Sequence, residues 1–367
     1  MKSAAHVALM AGLLLLLTGC GKAAAPLKTA EQYMAEAKKV DTPVTAAQDL
    51  FATNAPVEKW NEVFTADPGD LSNYEAFAYR QLLRGQGDTV VGEALTHAAT
   101  LNKTDGWVNF LIVRRELLGL LHTKDDEEAA RKTASDRIVE SLAFCKEADG
   151  DNAFYDYQEA AFCGATGDLG GALRALQAGN SAPQFQHPFG PPFPRDLTDL
   201  DSLVGAMGPS FGVFFQTTPR TFMPEVHAQL RALATQYAKD PKLMAVILRA
   251  GQRQLSMTPF DLPSFSAALA FNKALWQGYG QAPEHAAARD AVLEALAAFE
   301  KPFAEQASAT EILSKRLRNA EDAQLAYGAA MLAATKQAEH DLAPLRKDLD
   351  EVITANLPPL EDGETKS

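Results

Sequence analysis

The chain of 367 residues predicts an all-α fold: antiparallel helical hairpins stacked as an α-solenoid, closed by a C-terminal helical bundle. Three observations predict it. From about residue 30 onward apolar side chains recur at steps of three and four, the spacing that puts them on one face of a helix. Pro and Gly fall at the breaks between these stretches, where helices stop and start. Alternating runs rich in Val, Ile and Thr, the mark of half-buried strands, are absent. The formal net charge of −13 repels nucleic acid and anionic lipid surfaces, so neither is an expected partner.

Residues 1–19 read as an address. Lys2 supplies a positive start, and Val7 to Leu17 supply 11 apolar residues. As a helix that run rises only about 16 Å, roughly half a bilayer core, too short to span. Leu17-Thr18-Gly19-Cys20 resembles the lipobox that closes a bacterial lipoprotein signal peptide. The resemblance implies that Cys20 is diacylated through its thiol, becomes the mature N-terminus and is acylated again, giving a durable anchor with several chains. Gly21, not Asp, follows the cysteine, which by the same resemblance favours the outer membrane where the cell has one. Residues 20–30 read as a short tether.

Residues 31–180 form the next unit. Asn73 to Asn102 opens with Tyr74, Phe77, Ala78 and Leu82 on one face, breaks at Gly87-Asp88 and resumes with Ala94-Leu95 and Ala98. Asn152 to Asn180 opens with Phe154, Tyr157, Ala161 and Phe162, breaks at Gly167-Asp168 and resumes with Ala172-Leu173 and Leu176. Between them Trp107 to Leu121 and Asp125 to Phe144 form a third hairpin, introduced by a capping box at Thr123-Lys124-Asp125-Asp126. Trp107 stands 34 residues after Asn73. This arrangement resembles a tetratricopeptide repeat, in a degenerate form, over roughly residues 60–180. The resemblance implies a concave groove lined by the first helix of each pair. Polar or amphipathic positions on those helices give the candidate groove: Arg80, Gln81, Arg114, Tyr155 and Gln158.

Residues 181–222 change texture. Five prolines between Pro183 and Pro194, with Phe185, His187, Phe189 and Phe193, make a loop that cannot be helical. Such a loop either covers an exposed face of the array or contacts a partner. Ser202 to Phe215 is apolar and interrupted by glycine. Residues 223–357 return to helix, at Pro224 to Tyr237, Pro241 to Leu255, Pro263 to Trp276 and Pro283 to Phe299. A capping box at Ser308-Ala309-Thr310-Glu311 then predicts a new helix with a narrow seam from Leu313 to Ala334, broken near Glu339 and resumed at Leu342. Residues 358–367 read as a frayed tail.

Chemistry is sparse. Gly208-Pro209-Ser210-Phe211-Gly212 fits the nucleophile-elbow string of serine hydrolases. That elbow needs a strand before the serine and a helix after it, and no parallel sheet is predicted. The mature histidines are scattered, without metal-ligand spacing, and no phosphate-binding glycine loop occurs; no metal or cofactor is expected. Cys145 and Cys163 would sit about 15 Å apart along one hairpin, beyond the reach of about 7 Å that a disulfide allows, so free thiols are expected. The sequence therefore points to a lipid-anchored, non-enzymatic scaffold for an envelope protein or peptide. The alternative is a lipoprotein that binds a small molecule, glycan or peptide, with the aromatics of 185–193 available to stack on a sugar.

Overall fold

A computed structural model describes residues 27–41, 45–122, 128–195, 197, 199–217, 223–257, 260–279, 285–317 and 323–359. Cys20, the capping box at Thr123 to Asp126 and the last eight residues lie outside these. The chain is all-helical. Three short helices, α1 (Ala30–Ala37), α2 (Ala46–Thr53) and α3 (Val57–Ala66), precede three hairpins: α4 (Leu71–Leu83) with α5 (Thr89–Leu101), α6 (Gly106–His122) with α7 (Glu128–Ala148), and α8 (Ala153–Thr166) with α9 (Leu169–Ser181). After the proline-rich loop come α10 (Ser202–Met207), a 3-10 turn (Gly208–Phe211), α11 (Gly212–Thr217), α12 (Pro224–Gln236), α13 (Pro241–Gln254) and α14 (Leu262–Tyr279). A long hairpin of α15 (Ala286–Leu317) and α16 (Ala323–Asn356) ends the fold. None of the described helices is long and apolar enough to cross a membrane.

Local chemistry sets the hairpin boundaries. Asp70, Asp88, Asp105, Asn152 and Asp168 each cap a helix, their side-chain oxygens accepting backbone N–H groups that the first turn cannot satisfy. Between α8 and α9, Gly167 takes the left-handed conformation (φ 80°) that ends a helix without a Cβ clash. Helices pack mainly on their chain neighbours, which makes the array a solenoid. Two departures shape it. First, α12 crosses onto α8, and α13 onto α9, so the later helices fold back over the hairpins. Second, α16 packs against α1, α11 and the 3-10 turn, bringing the first and last described helices together. Tyr33 on α1 donates to Asp201 Oδ1 at 2.5 Å, and Lys336 on α16 pairs with Asp199 at 2.5 Å.

The structure corrects the expected end of the chain. Ser308 to Glu311 do not start a helix; they lie inside α15, which runs unbroken past Pro302. The seam from Leu313 to Ala334 is split between α15 and α16, and α16 continues through Glu339 and Pro344. An interior proline removes one helical hydrogen bond and crowds the preceding turn. Each proline is flanked by anchors: Phe299 and Phe303 pack on Phe265 beside Pro302, while Leu342 and Leu349 are buried beside Pro344. Tertiary burial overrides the local signal to stop.

Candidate binding cleft

The concave face expected to carry the groove is filled by the chain itself. The proline-rich loop lies across it with its aromatics inward. Phe193 meets Phe51, Tyr79 and Phe214 at centroid distances of 5.5, 6.1 and 5.3 Å. Phe185 packs on Phe154 and Tyr157, and Phe189 on Phe214. Of the two roles the loop's composition allows, the structure shows the covering one.

Four of the five groove residues are accordingly drawn into packing. Arg80 holds its guanidinium 5.3 Å over the Phe51 ring, and Gln81 is buried within α4. Arg114, buried on α6, reaches α12 and pairs with Glu225 Oε2 at 2.6 Å. Gln158 is fully buried on α8, its Nε2 at 4.0 Å from Met223 Sδ. At Arg114 and Gln158 polarity marks contacts with the later chain, at Glu225 and Met223, which covers that face. Only Tyr155 reaches an opening.

That opening is a cleft of about 490 Å³ at one end of the second and third hairpins. Its walls are the start of α6 (Gly106, Trp107), the end of α7 (Ala148, Asp149), the start of α8 (Asn152, Tyr155) and the loop (Gln184, Gln186, Pro188, Phe189, Arg195). Asn152 builds the junction with all four of its hydrogen-bonding sites. Its Oδ1 accepts from Phe154 N at 3.1 Å and Gln186 N at 3.0 Å; its Nδ2 donates to Asp149 Oδ2 and Gln186 O, both at 2.9 Å. Beside it Ala153 N donates to Gln184 O at 2.9 Å and Gln184 N to Asp151 O at 3.2 Å. The loop is thereby strapped to the start of α8 by main-chain bonds, although the protein has no sheet among its described residues.

The rim is electrostatically closed. Arg195 donates through Nη1 to both oxygens of Asp105, at 2.9 and 2.7 Å, and through Nη2 to Glu75 Oε1 at 2.6 Å. Glu75 is fully buried on α4, and burial pushes its carboxyl up to about 8 despite the opposing pull of Arg195. Tyr155 is 5 % exposed; it packs on Phe110 and Phe154, and its hydroxyl has no hydrogen-bond partner among the described residues. Trp107 lies under Gly190, where a Cβ would come within 2.3 Å of its Nε1, and that buried N–H is also unpartnered.

Ser210, Cys145, Cys163 and His227 are held in packing or hydrogen-bond contacts. Ser210 sits in the 3-10 turn, its hydroxyl donated to Met207 O at 2.7 Å, and no strand leads into it. Cys145 and Cys163 are free and buried; burial raises both thiols, that of Cys163 to about 11. His227 stacks on Phe271 at 4.3 Å and bonds Gln254. No group of three or more His, Cys, Asp or Glu able to hold a metal occurs among the described residues.

These features define a class, an all-α helical solenoid whose concave face is closed by its own loop and whose open polar surface is a terminal cleft. No protein family, characterised protein or solved structure matches the chain.

One signal for the cleft was present in the sequence. Gln184-Phe185-Gln186-His187 alternates polar and apolar, the two-residue period of an extended strip with one face buried. It buries Phe185 and His187 and turns the two glutamines outward.

Proposed function

We propose that this chain is a non-enzymatic lipoprotein of the cell envelope, anchored through Cys20, that captures a small polar ligand in the cleft between Tyr155 and the proline-rich loop. The observation that carries this reading is a cleft of about 490 Å³, within the range of about 300–1,000 Å³ usual for small-molecule sites, lined by Tyr155, whose hydroxyl has no hydrogen-bond partner among the described residues. A ligand that bonds this hydroxyl in place of water gains about 0.5–1.5 kcal/mol, the ordinary net of a hydrogen bond. The wider scaffold reading loses its expected surface, since the groove is occupied by Phe193, Phe185 and the Arg114–Glu225 pair. Lipid anchoring rests on the resemblance of residues 17–20 to a lipobox.

Two readouts on one preparation test the proposal. The full chain expressed in bacteria should incorporate labelled palmitate, and Cys20→Ala should abolish it. Thermal-shift screening against sugars, amino acids, short peptides and polyamines should give a saturable rise in Tm with at least one of them, lost when Gln184→Trp obstructs the cleft. A chain that responds to no small molecule but captures a stoichiometric envelope protein would return the scaffold reading to first place.

A further inference from the structure

We infer that the ligand of this cleft is a neutral carbohydrate, an inference that rests on the binding reading above and names its chemistry. The groups that the cleft can and cannot satisfy select this chemistry. Its one cation cannot recruit an anion, because Arg195 already spends both of its terminal nitrogens on Asp105 and Glu75 at 2.6–2.9 Å. A phosphate or carboxylate entering here would meet two carboxyl groups already holding that guanidinium. Its one further carboxylate, Asp149, has its oxygens turned to neutral donors, the amide N–H groups of Asn152 at 2.9 Å and Gln184 at 3.4 Å.

The main chain at the two cleft-lining glutamines is closed to a peptide. Peptide capture along an extended strip uses free main-chain N–H and C=O groups. Here Gln184 N and O are bonded to Asp151 and Ala153, and Gln186 N and O to the Asn152 amide. The main-chain groups of the two cleft-lining glutamines are therefore spent on the start of α8.

What remains is neutral and bifunctional. The Tyr155 hydroxyl both donates and accepts, and the Gln184 and Gln186 carbonyl oxygens accept; these groups stand beside an apolar wall of Pro188 and Phe189. Sugars match that combination. Each hydroxyl donates and accepts at once, neighbouring hydroxyls suit planar amides, and the C–H face of the ring packs on apolar side chains. The cleft volume accommodates a disaccharide, by the usual scale of small-ligand sites of about 300–1,000 Å³.

The test is an array of neutral, acidic and amino oligosaccharides, followed by calorimetry of the full chain with the best neutral binder, with glucuronate, with spermidine and with trialanine. We expect one-to-one binding of a neutral oligosaccharide and none of the other three. Tyr155→Phe should raise its Kd about tenfold, the equivalent of one hydrogen bond, and Gln186→Ala should raise it further. Because Tyr155→Phe keeps the ring, the Tm of the unliganded protein serves as the folding control. Saturable binding of spermidine or trialanine without any neutral sugar overturns the carbohydrate assignment and leaves the broader binding reading standing. Sugar binding that neither variant weakens overturns the site. Silence across all four classes defeats both.

Discussion

The loop-covered hairpins and the terminal helix α16 solve the same packing problem with different side chains. Around the loop, burial is by rings: Phe51, Tyr79, Trp107, Phe110, Phe154, Phe185, Phe193 and Phe214 contact one another from six separate segments. In α16 it is by small and aliphatic residues, with Ala329, Ala330, Leu332, Ala338, Leu342, Leu349 and Ile353 buried along one rod of about 51 Å. A loop lacks a regular backbone ladder, so large rings on pre-formed walls must fix its position. A helix fixes its own backbone, so small residues suffice to seat it. The cleft lies on the ring-anchored side, which gives its lining residues defined places although five of the eleven come from a loop.

The comparison breaks first at Phe193. Its removal leaves a cavity among Phe51, Tyr79 and Phe214, so Phe193→Ala should lower unfolding stability by about 3–5 kcal/mol in denaturant titration. Leu349→Ala on α16 should cost less, about 2–3 kcal/mol. The Phe193 variant should also speed amide exchange at Gln186, whose N–H is held by Asn152. A loss below about 1 kcal/mol at Phe193 would place the loop outside the cooperative core.

The long hairpin offers a change of opposite sign. Pro344 lies inside α16, where proline is about 3 kcal/mol worse than alanine. Proline also restricts the unfolded chain, which returns about 1 kcal/mol. Pro344→Ala should therefore stabilise by about 2 kcal/mol, read as a shift of the denaturation midpoint at unchanged slope. A null or negative result would show that the packing of Leu342 and Leu349 requires the kinked geometry.

How far the sequence spoke follows the same division. Hairpin boundaries were legible because they depend on neighbours: Asp168 caps α9 and Gly167 ends α8 with residues that touch within one turn. Composition marked the loop's phenylalanines but left open whether they cover the array or contact a partner. The fate of Pro302 and Pro344 was not legible, because it depends on Phe265 and other residues far along the chain. Arg114 was misjudged for a related reason. A buried arginine and an open-groove arginine look alike until Glu225, 111 residues later, is placed at 2.6 Å. Of the cleft, Tyr155 was reachable from its position on a first helix. Gln184 and Gln186 needed the short alternating strip to be recognised inside a segment dominated by prolines.

The smallest effect sharpens the ring-anchored side. His187 is a ring among rings, 5.5 Å from both Phe154 and Phe185, yet its buried Nε2 has no partner. Burial lowers its pKa from 6.5 to about 4, and the same holds for His227. His187→Phe replaces an unsatisfied polar atom by an apolar one and should stabilise by about 1 kcal/mol at pH 7. The sign with pH is fixed. Above 6.5 both states carry neutral His187; between 6.5 and 4 the unfolded chain binds a proton that the folded chain refuses, so wild-type stability contributed by this residue falls as pH falls. Glu75 and Asp261, whose carboxyls burial raises to about 8 and about 6, act in the opposite direction, so the wild-type profile alone does not isolate the histidine. The difference between variant and wild type does. The advantage of His187→Phe should widen steadily from pH 6.5 to pH 4 and level off below. An advantage constant across that window would mean that folded His187 accepts a proton as readily as the unfolded chain, and that water or a neighbouring acceptor reaches its ring.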